Sequence, residues 1–321
     1  MRQTVNFWPD QTVVITGGTG SLGQALTRLL LAEPVRAIRI LSRDEEKQRV
    51  MESRITDPRV KWLLGDVRDC ERLRRAFAGA DVVIHAAALK QIPATERDPL
   101  EAVKTNVLGA WHVAEAALDA GVARVMAISS DKAAAPLNLY GASKLVAEKI
   151  ILGSNVYAGS RAVGFAACRY GNVAASRGSI IPLLMQQRAA GRVTLTDSRM
   201  TRFWLTLGGA ARFVLNRVAD MSSGSLYVPQ LPSVRITDLI EAVAPGCATD
   251  VIGIRHGEKL HEQMLTWDES RHAEDRSGYY RVHPAIQRDD LFAYDSGTNP
   301  KFLSVDQIKH ELPQALREAG L

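Results

Sequence analysis

The chain has 321 residues, with 40 Lys plus Arg against 35 Asp plus Glu and a formal net charge of +5. That length suffices for one large α/β domain with an appended lobe, and the mild basic excess suits anionic small molecules without the Lys/Arg runs and interleaved aromatics of a nucleic-acid surface. Cys70, Cys168 and Cys247 stand singly with no CxxC spacing, which argues against a disulfide framework or a zinc knuckle and fits a reducing cytoplasm.

No segment approaches the roughly 20 apolar residues of a membrane helix, and the N-terminal stretch lacks a leader pattern, so a soluble, cytoplasmic, membrane-free protein is expected. The first half alternates short β-branched runs with amphipathic stretches of helical length. Strands are expected over 12–17, 37–42, 60–66, 81–88, 123–130 and 162–170. Such alternation predicts an α/β fold: a Rossmann-like doubly wound parallel sheet whose ligands lie at the carboxyl ends of the strands. After Gly171 the pattern loosens into short strands and helices. We expect a first domain over 1–171, with strand and helix returns from the second half, and a smaller C-terminal α/β substrate-binding lobe over 172–321.

Between the first strand and its helix, "ITGGTGSLGQAL" spaces Gly17, Gly20 and Gly23 three apart around Thr19, Ser21 and Leu22. Glycines there let backbone approach a pyrophosphate at a helix N-terminus, as dinucleotides require. At the end of the second strand, twenty residues beyond Gly23, stands Arg43 rather than an acid. A guanidinium can fork onto a ribose 2′-phosphate, so NADP is favoured over NAD, with Ser42 and Lys47 adding contacts. The competing reading of this "SRDEEKQ" stretch is a solvated helix start around Asp44. Asp66 and Val67, after the third strand, are placed to meet the adenine.

"SSDKAAAPLNLYGASK" holds the candidate chemistry. Tyr140 and Lys144, four apart, share one helix face. The ammonium is expected to lower the phenol pKa toward neutrality and make Tyr140 a base for a sugar hydroxyl. Ser130 ends the fifth strand, where its hydroxyl can orient the same oxygen. Asp131 and Lys132 add an acid and an amine at the same strand end, as proton transfers at further carbons would require. His85 reads as a core residue. His256 and His261 do not form an HExxH pattern, so no metal site is expected.

The glycine turn, the strand ending in Ser and the YxxxK pair resemble the extended short-chain dehydrogenase/reductase superfamily. "SRDEEKQ", "HAAALKQIPATERDPLEAVKTNVLGA", "SSDKAAAPLNLYGASK", "RYGNVAASRGSIIP", "DSRMTRFWLTL" and "IRHGEKLHE" narrow the resemblance to the inverting UDP-N-acetylglucosamine 4,6-dehydratases of bacterial flagellin glycosylation and capsule synthesis. The likeness runs from about Thr12 to the end of the chain.

The resemblance implies an NADP-binding first domain to which Ala86, Ala87, Ala88, Lys90 and Asn106 contribute, and a nucleotide-sugar lobe. Lys90, Asn172, Arg177, Arg202, Arg255 and Glu258 are its implied substrate contacts. The implied reaction oxidises C4 with Tyr140 as base, eliminates water across C5 and C6 with Lys132 as base and Asp131 as acid, and returns hydride to C6 with inversion at C5. For this, Lys132 must be partly neutral, through burial or the neighbouring Lys144, and the pKa of Asp131 must be raised. The two roles can be exchanged without contradicting the sequence. A homo-oligomer, dimer or hexamer, is implied through the helices near 103–120 and 140–151.

Departures from the family pattern at Gln91, Arg97, Asp98, Ala135 and His256 spare these residues but leave the nucleotide and sugar open. A nucleotide-sugar epimerase using Tyr140 and Lys144 alone is the enzymatic alternative. A catalytically silent sensor or scaffold on the same fold is the other.

Overall fold

The computed structural model describes residues 7–176, 178–254 and 257–321. Among these, fifteen strands follow in chain order: β1 (Thr12–Thr16), β2 (Ala37–Ser42), β3 (Val60–Leu64), β4 (Val82–His85), β5 (Arg124–Ser130), β6 (Gly164–Tyr170), β7 (Arg192–Leu195), β8 (Thr201–Phe203), β9 (Leu226–Pro229), β10 (Ser233–Arg235), β11 (Ala248–Val251), β12 (Gln263–Leu265), β13 (Ala273–Arg276), β14 (Tyr279–Val282) and β15 (Tyr294–Asp295).

Nine of them form the main sheet in the order β3-β2-β1-β4-β5-β6-β9-β14-β13. The first seven in that order run parallel, and β14 and β13 close the sheet as an antiparallel hairpin. The expected parallel sheet is therefore mixed at one edge. Three expected strands also overran their ligand-side ends: β1, β3 and β4 stop at Thr16, Leu64 and His85, where the chain turns into loops. Chain order reverses between β1 and β4, which opens a crevice above their carboxyl ends.

β1 is buried along its whole length, as a parallel strand covered on both faces must be. The core around it gathers Val14, Ile40, Val83 and Phe165 from the first half but also Val214, Tyr227 and Met264 from the second. A separate core of Ile181, Leu184, Trp204, Val234, Leu239 and Ile308 sits under the short strands β7, β8, β10 and β11. The lobe thus has its own core, while the segments carrying Val214, Tyr227 and Met264 return to the first one.

The helix Leu139–Gly153 carries Tyr140 and Lys144, and its position is fixed at both ends. At its start the Asn138 side chain accepts a hydrogen bond from the Gly141 N–H at 2.8 Å. A Cβ on Gly141 would lie 2.2 Å from the Lys132 carbonyl oxygen, so only glycine lets this first turn rest on the 131–133 turn. Two turns on from Tyr140, Glu148 meets the fully buried Arg169 of β6, which donates to its carboxylate at 3.0 and 2.6 Å. Arg169 also donates to the Glu269 carboxylate at 2.9 and 2.8 Å and to the Met264 carbonyl at 2.9 Å.

Removing one member of such a buried network leaves uncompensated charge, a cost of about 3–5 kcal/mol. Arg169→Met should therefore lower the urea midpoint sharply. Arg169→Lys should recover only part of the loss, since an ammonium cannot fork onto two carboxylates. A midpoint unchanged in Arg169→Met would show that the network does not hold the helix.

Candidate active site

The crevice opens into a cleft of about 1250 Å³ that runs from the glycine turn to the lobe. At its first end the turn after β1 is built for close approach. Gly17 has a φ of 66° and a Cβ there would fall 2.8 Å from the Ala87 backbone. A Cβ on Gly23 would lie 2.3 Å from the Gly18 carbonyl oxygen, so helix Ser21–Leu31 rests directly on the turn. That helix starts at Gly20 with no side-chain cap, leaving its N-terminal amides to a ligand in the cleft.

Thr19 Oγ1 and Ser42 Oγ are 2.8 Å apart, joining the turn to β2. Next to them Arg43 projects its guanidinium, half exposed, with its nearest carboxylate oxygen, Asp66 Oδ2, at 3.7 Å. Asp44, the competing acid, caps helix Glu45–Glu52 and pairs with Lys47 through both backbone and side chain. Gly17, Thr19, Gly20, Ser21, Leu22, Gly23, Ser42, Arg43, Lys47, Asp66, Val67, Ala86, Ala87, Ala88 and Lys90 all border the cleft.

Asn106 does not. It lies in a π-helical turn, Val103–Leu108, and is buried. Its amide accepts from Leu89 N at 2.8 Å and donates to Leu89 O and Ser143 Oγ, both at 2.9 Å. With these bonds made it braces the loop after β4 against the Tyr140 helix.

In mid-cleft, Ser130, Asp131, Lys132, Tyr140 and Lys144 meet. Asp131 is buried and accepts from Ser130 Oγ at 2.7 Å and from Lys132 N at 2.9 Å. Lys132 Nζ lies 3.2 Å from Asp131 Oδ1 and 3.2 Å from Glu262 Oε1. Burial raises the Asp131 pKa, with Lys132 opposing. For Lys132 the balance runs the other way: burial favours the neutral amine, but Asp131 and Glu262 together overcome it and hold the ammonium. The expected partial neutrality of Lys132 is thus reversed, because two carboxylates outweigh desolvation.

Tyr140 differs as well. Burial raises its phenol; a hydrogen bond with Ser130 and the charge of Lys132 pull it back, and the Asp131 carboxylate adds to the rise. Lys144 donates to the Ile128 carbonyl at 2.5 Å, and burial lowers its pKa to about 8. His85 is buried with Nδ1 2.8 Å from Thr16 Oγ1, and burial and then Lys144 keep it neutral, at about 3.

At the lobe end Asn172, Arg202 and Glu258 border the cleft. Arg202 donates to the Thr201 and Leu260 carbonyls at 2.7 and 3.1 Å, and its Nε is 3.5 Å from Glu262 Oε1. Arg177, Arg255 and His256 lie outside the described residues. Sequence reasoning missed Glu262 and Lys259, which donates to the Ala134 carbonyl at 2.6 Å. The available signal was the charged run "GEKLHE" leading into the apolar β12, in which Glu258 was singled out instead.

A doubly wound sheet with a glycine turn after β1 and a Ser–Tyr–Lys group at the end of β5 defines the short-chain dehydrogenase/reductase class. The family model described as polysaccharide biosynthesis protein matches residues 13–284, and the chain belongs to that family. An inverting UDP-N-acetylglucosamine 4,6-dehydratase of Campylobacter jejuni is 41% identical over 321 residues, covering 93% of this chain and 96% of that relative. A UDP-glucose 4-epimerase of Rickettsia akari is 40% identical over 293 residues, covering 88% and 86%. The solved structure of Pen from Bacillus thuringiensis superimposes with a TM-score of 0.90 at 32% identity, over 96% of this chain and 98% of that one.

Because the folded Lys144 pKa of about 8 lies below the ordinary lysine value, the unfolded chain binds the extra proton between them. Wild-type stability should therefore rise relative to Lys144→Met as pH goes from 8 toward 10, by up to about 3 kcal/mol. Urea melts of the nucleotide-free proteins across this range test it. A pH-independent gap would mean that Lys144 titrates normally.

Proposed function

We propose that the protein is a nucleotide-sugar 4,6-dehydratase acting on UDP-N-acetylglucosamine with NADP and inverting C5. The observation that carries this reading is the buried Asp131–Lys132–Glu262 cluster beside Tyr140. Epimerisation at C4 needs a base at one oxygen only, whereas elimination needs a base at C5 and an acid at the C6 oxygen. The relative from Campylobacter jejuni, with its printed activity, supports it.

The bound nicotinamide supplies one thing, the acceptance of hydride from C4 and its return to C6. Tyr140 takes the C4 hydroxyl proton while Ser130 orients that oxygen. A single proton shift from the Lys132 ammonium to the Asp131 carboxylate, 3.2 Å away, turns an ion pair into an amine and a carboxylic acid, a change that burial favours. The amine then removes the C5 proton, made acidic by the C4 ketone, and the carboxylic acid protonates the departing C6 oxygen. Water leaves and the ion pair is restored. C5 takes a proton derived from solvent on the face opposite Lys132 as hydride reaches C6, and Tyr140 returns the C4 hydroxyl proton to solvent, so the protons balance.

For the cofactor, the exposed Arg43 with Ser42 and Lys47 fits a 2′-phosphate, and the engagement of Asp44 with Lys47 removes the acid that a free ribose would meet. Asp66, Val67, Ala86, Ala87, Ala88 and Lys90 would line its path. Asn172, Arg202 and Glu258 fit the nucleotide diphosphate, with Arg177 and Arg255 as further candidates. Leu108, Trp111, Val146 and Tyr157 are exposed apolar side chains on or beside the helices Gly109–Ala120 and Leu139–Gly153, which supports association of copies through this face in the cytoplasm.

Purified protein incubated with UDP-N-acetylglucosamine and NADP in D₂O should yield a sugar lighter by one water, with deuterium at C5 and a C6 methyl group. Asp131→Asn should lower that yield by about 100-fold or more. An isomer of unchanged composition would instead establish the second reading, an epimerase, which the Rickettsia akari relative favours. For the cofactor, Arg43→Ala should weaken NADP by about tenfold in a binding titration and leave NAD unchanged. Equal losses for both would remove the 2′-phosphate contact.

A further inference from the structure

Glu262 is buried, at 3% exposure, in the segment that leads into β12. Its Oε1 serves two cations, Lys132 Nζ at 3.2 Å and Arg202 Nε at 3.5 Å. Its Oε2 is buried and has no hydrogen-bond partner among the described residues, although the side chain borders the cleft. Of the neighbouring polar groups, Lys259 Nζ donates to the Ala134 carbonyl, Ser296 Oγ donates to the Thr201 carbonyl, and His261 Nδ1 shares a hydrogen bond with Thr201 Oγ1; none of them bonds Glu262 Oε2.

A carboxylate oxygen can only accept, and leaving one buried without a donor is costly. The missing partner is therefore a hydroxyl or an N–H brought in by the ligand. Resting on the dehydratase reading, we infer that Glu262 binds the substrate directly, its Oε2 accepting a hydrogen bond from the C6 hydroxyl while its Oε1 anchors Lys132.

The chemistry of elimination agrees with this placement. The C6 hydroxyl keeps its own proton throughout and gains a second one as the C–O bond breaks, so one acceptor and one acid must reach the same oxygen from different sides. Asp131 and Glu262 flank Lys132 in that way. As the C5 proton reaches the Lys132 amine, a cation forms 3.2 Å from Glu262 Oε1. The carboxylate therefore stabilises the transition state more than the preceding neutral pair.

Two measurements test the assignment. The first is calorimetric titration of the protein with UDP-N-acetylglucosamine and with its 6-deoxy analogue, which needs no turnover. Wild type should prefer the C6-hydroxyl ligand by about tenfold, and Glu262→Leu should bind both alike. If Glu262→Leu does not fold, Glu262→Gln replaces it. Its single amide oxygen cannot serve both Lys132 and the sugar, so the preference should fall by at least about threefold.

The second is rapid mixing with NADP, followed by absorbance of the reduced nicotinamide and by release of water from the sugar. In Glu262→Gln the first hydride transfer should stay within about threefold of wild type while water loss falls by about 100-fold, so reduced cofactor accumulates. Equal wild-type affinity for the two sugars, or water loss in Glu262→Gln at the wild-type rate, overturns the inference. Failure of the wild type itself to lose water from the sugar overturns the dehydratase reading, a result the variants do not produce.

Discussion

Lys132 Nζ lies 3.2 Å from a carboxylate oxygen on each side, one from the neighbouring Asp131 and one from Glu262, 130 residues away in the chain. An ammonium taken out of water is tolerable only with such partners, so the end of β5 and the segment before β12 must meet wherever this lysine is buried. The surrounding construction follows from that meeting. Gly141 has no side chain because the Lys132 carbonyl occupies its space, Lys259 reaches in to the Ala134 carbonyl, and the Asn138 amide donates to the Gly257 carbonyl at 2.9 Å. One charge pairing fixes the turn on which Tyr140 is aimed.

The first-half strands, the glycine turn and the Ser–Tyr–Lys group were legible because each is local: β-branched runs, a three-residue glycine spacing and a four-residue helical spacing need only near neighbours in the chain. What escaped is non-local. Glu262 and Glu258 look alike in "GEKLHE", and only the packing of β12 against the 131–133 turn decides which of them faces Lys132. The hairpin of β13 and β14 escaped for another reason: "AEDR" and "YYRV" are short and partly exposed, so their alternation is too brief to read. The protonation of Lys132 was misjudged because burial and the neighbouring Lys144 were weighed without the pull of two carboxylates, one of them the distant Glu262.

Two residues other than glycine border this region with left-handed backbone: Ala135, φ 45°, and Ala175, φ 59°. Each costs on the order of 1 kcal/mol or more in an L residue. Ala135 directly follows the Asp131–Ala134 turn and precedes Pro136, which fixes the exit of the chain toward Asn138. The chain accepts local strain at the rim of the cleft while its charged centre is held by ion pairs.

The Arg169 network has a mechanical meaning for the cleft. Arg169 grips the Met264 carbonyl and Glu269 on one side and Glu148 of the Tyr140 helix on the other, and Met264 stands two residues past Glu262. The strand that brings Glu262 to the sugar end and the helix that brings Tyr140 are therefore clamped to the same guanidinium beneath the floor of the site. That side of the cleft behaves as an anvil. The clamp extends into the lobe, because Arg202 of β8 holds the Leu260 carbonyl and lies 3.5 Å from Glu262 Oε1, so the groups around the sugar end are set by one connected frame.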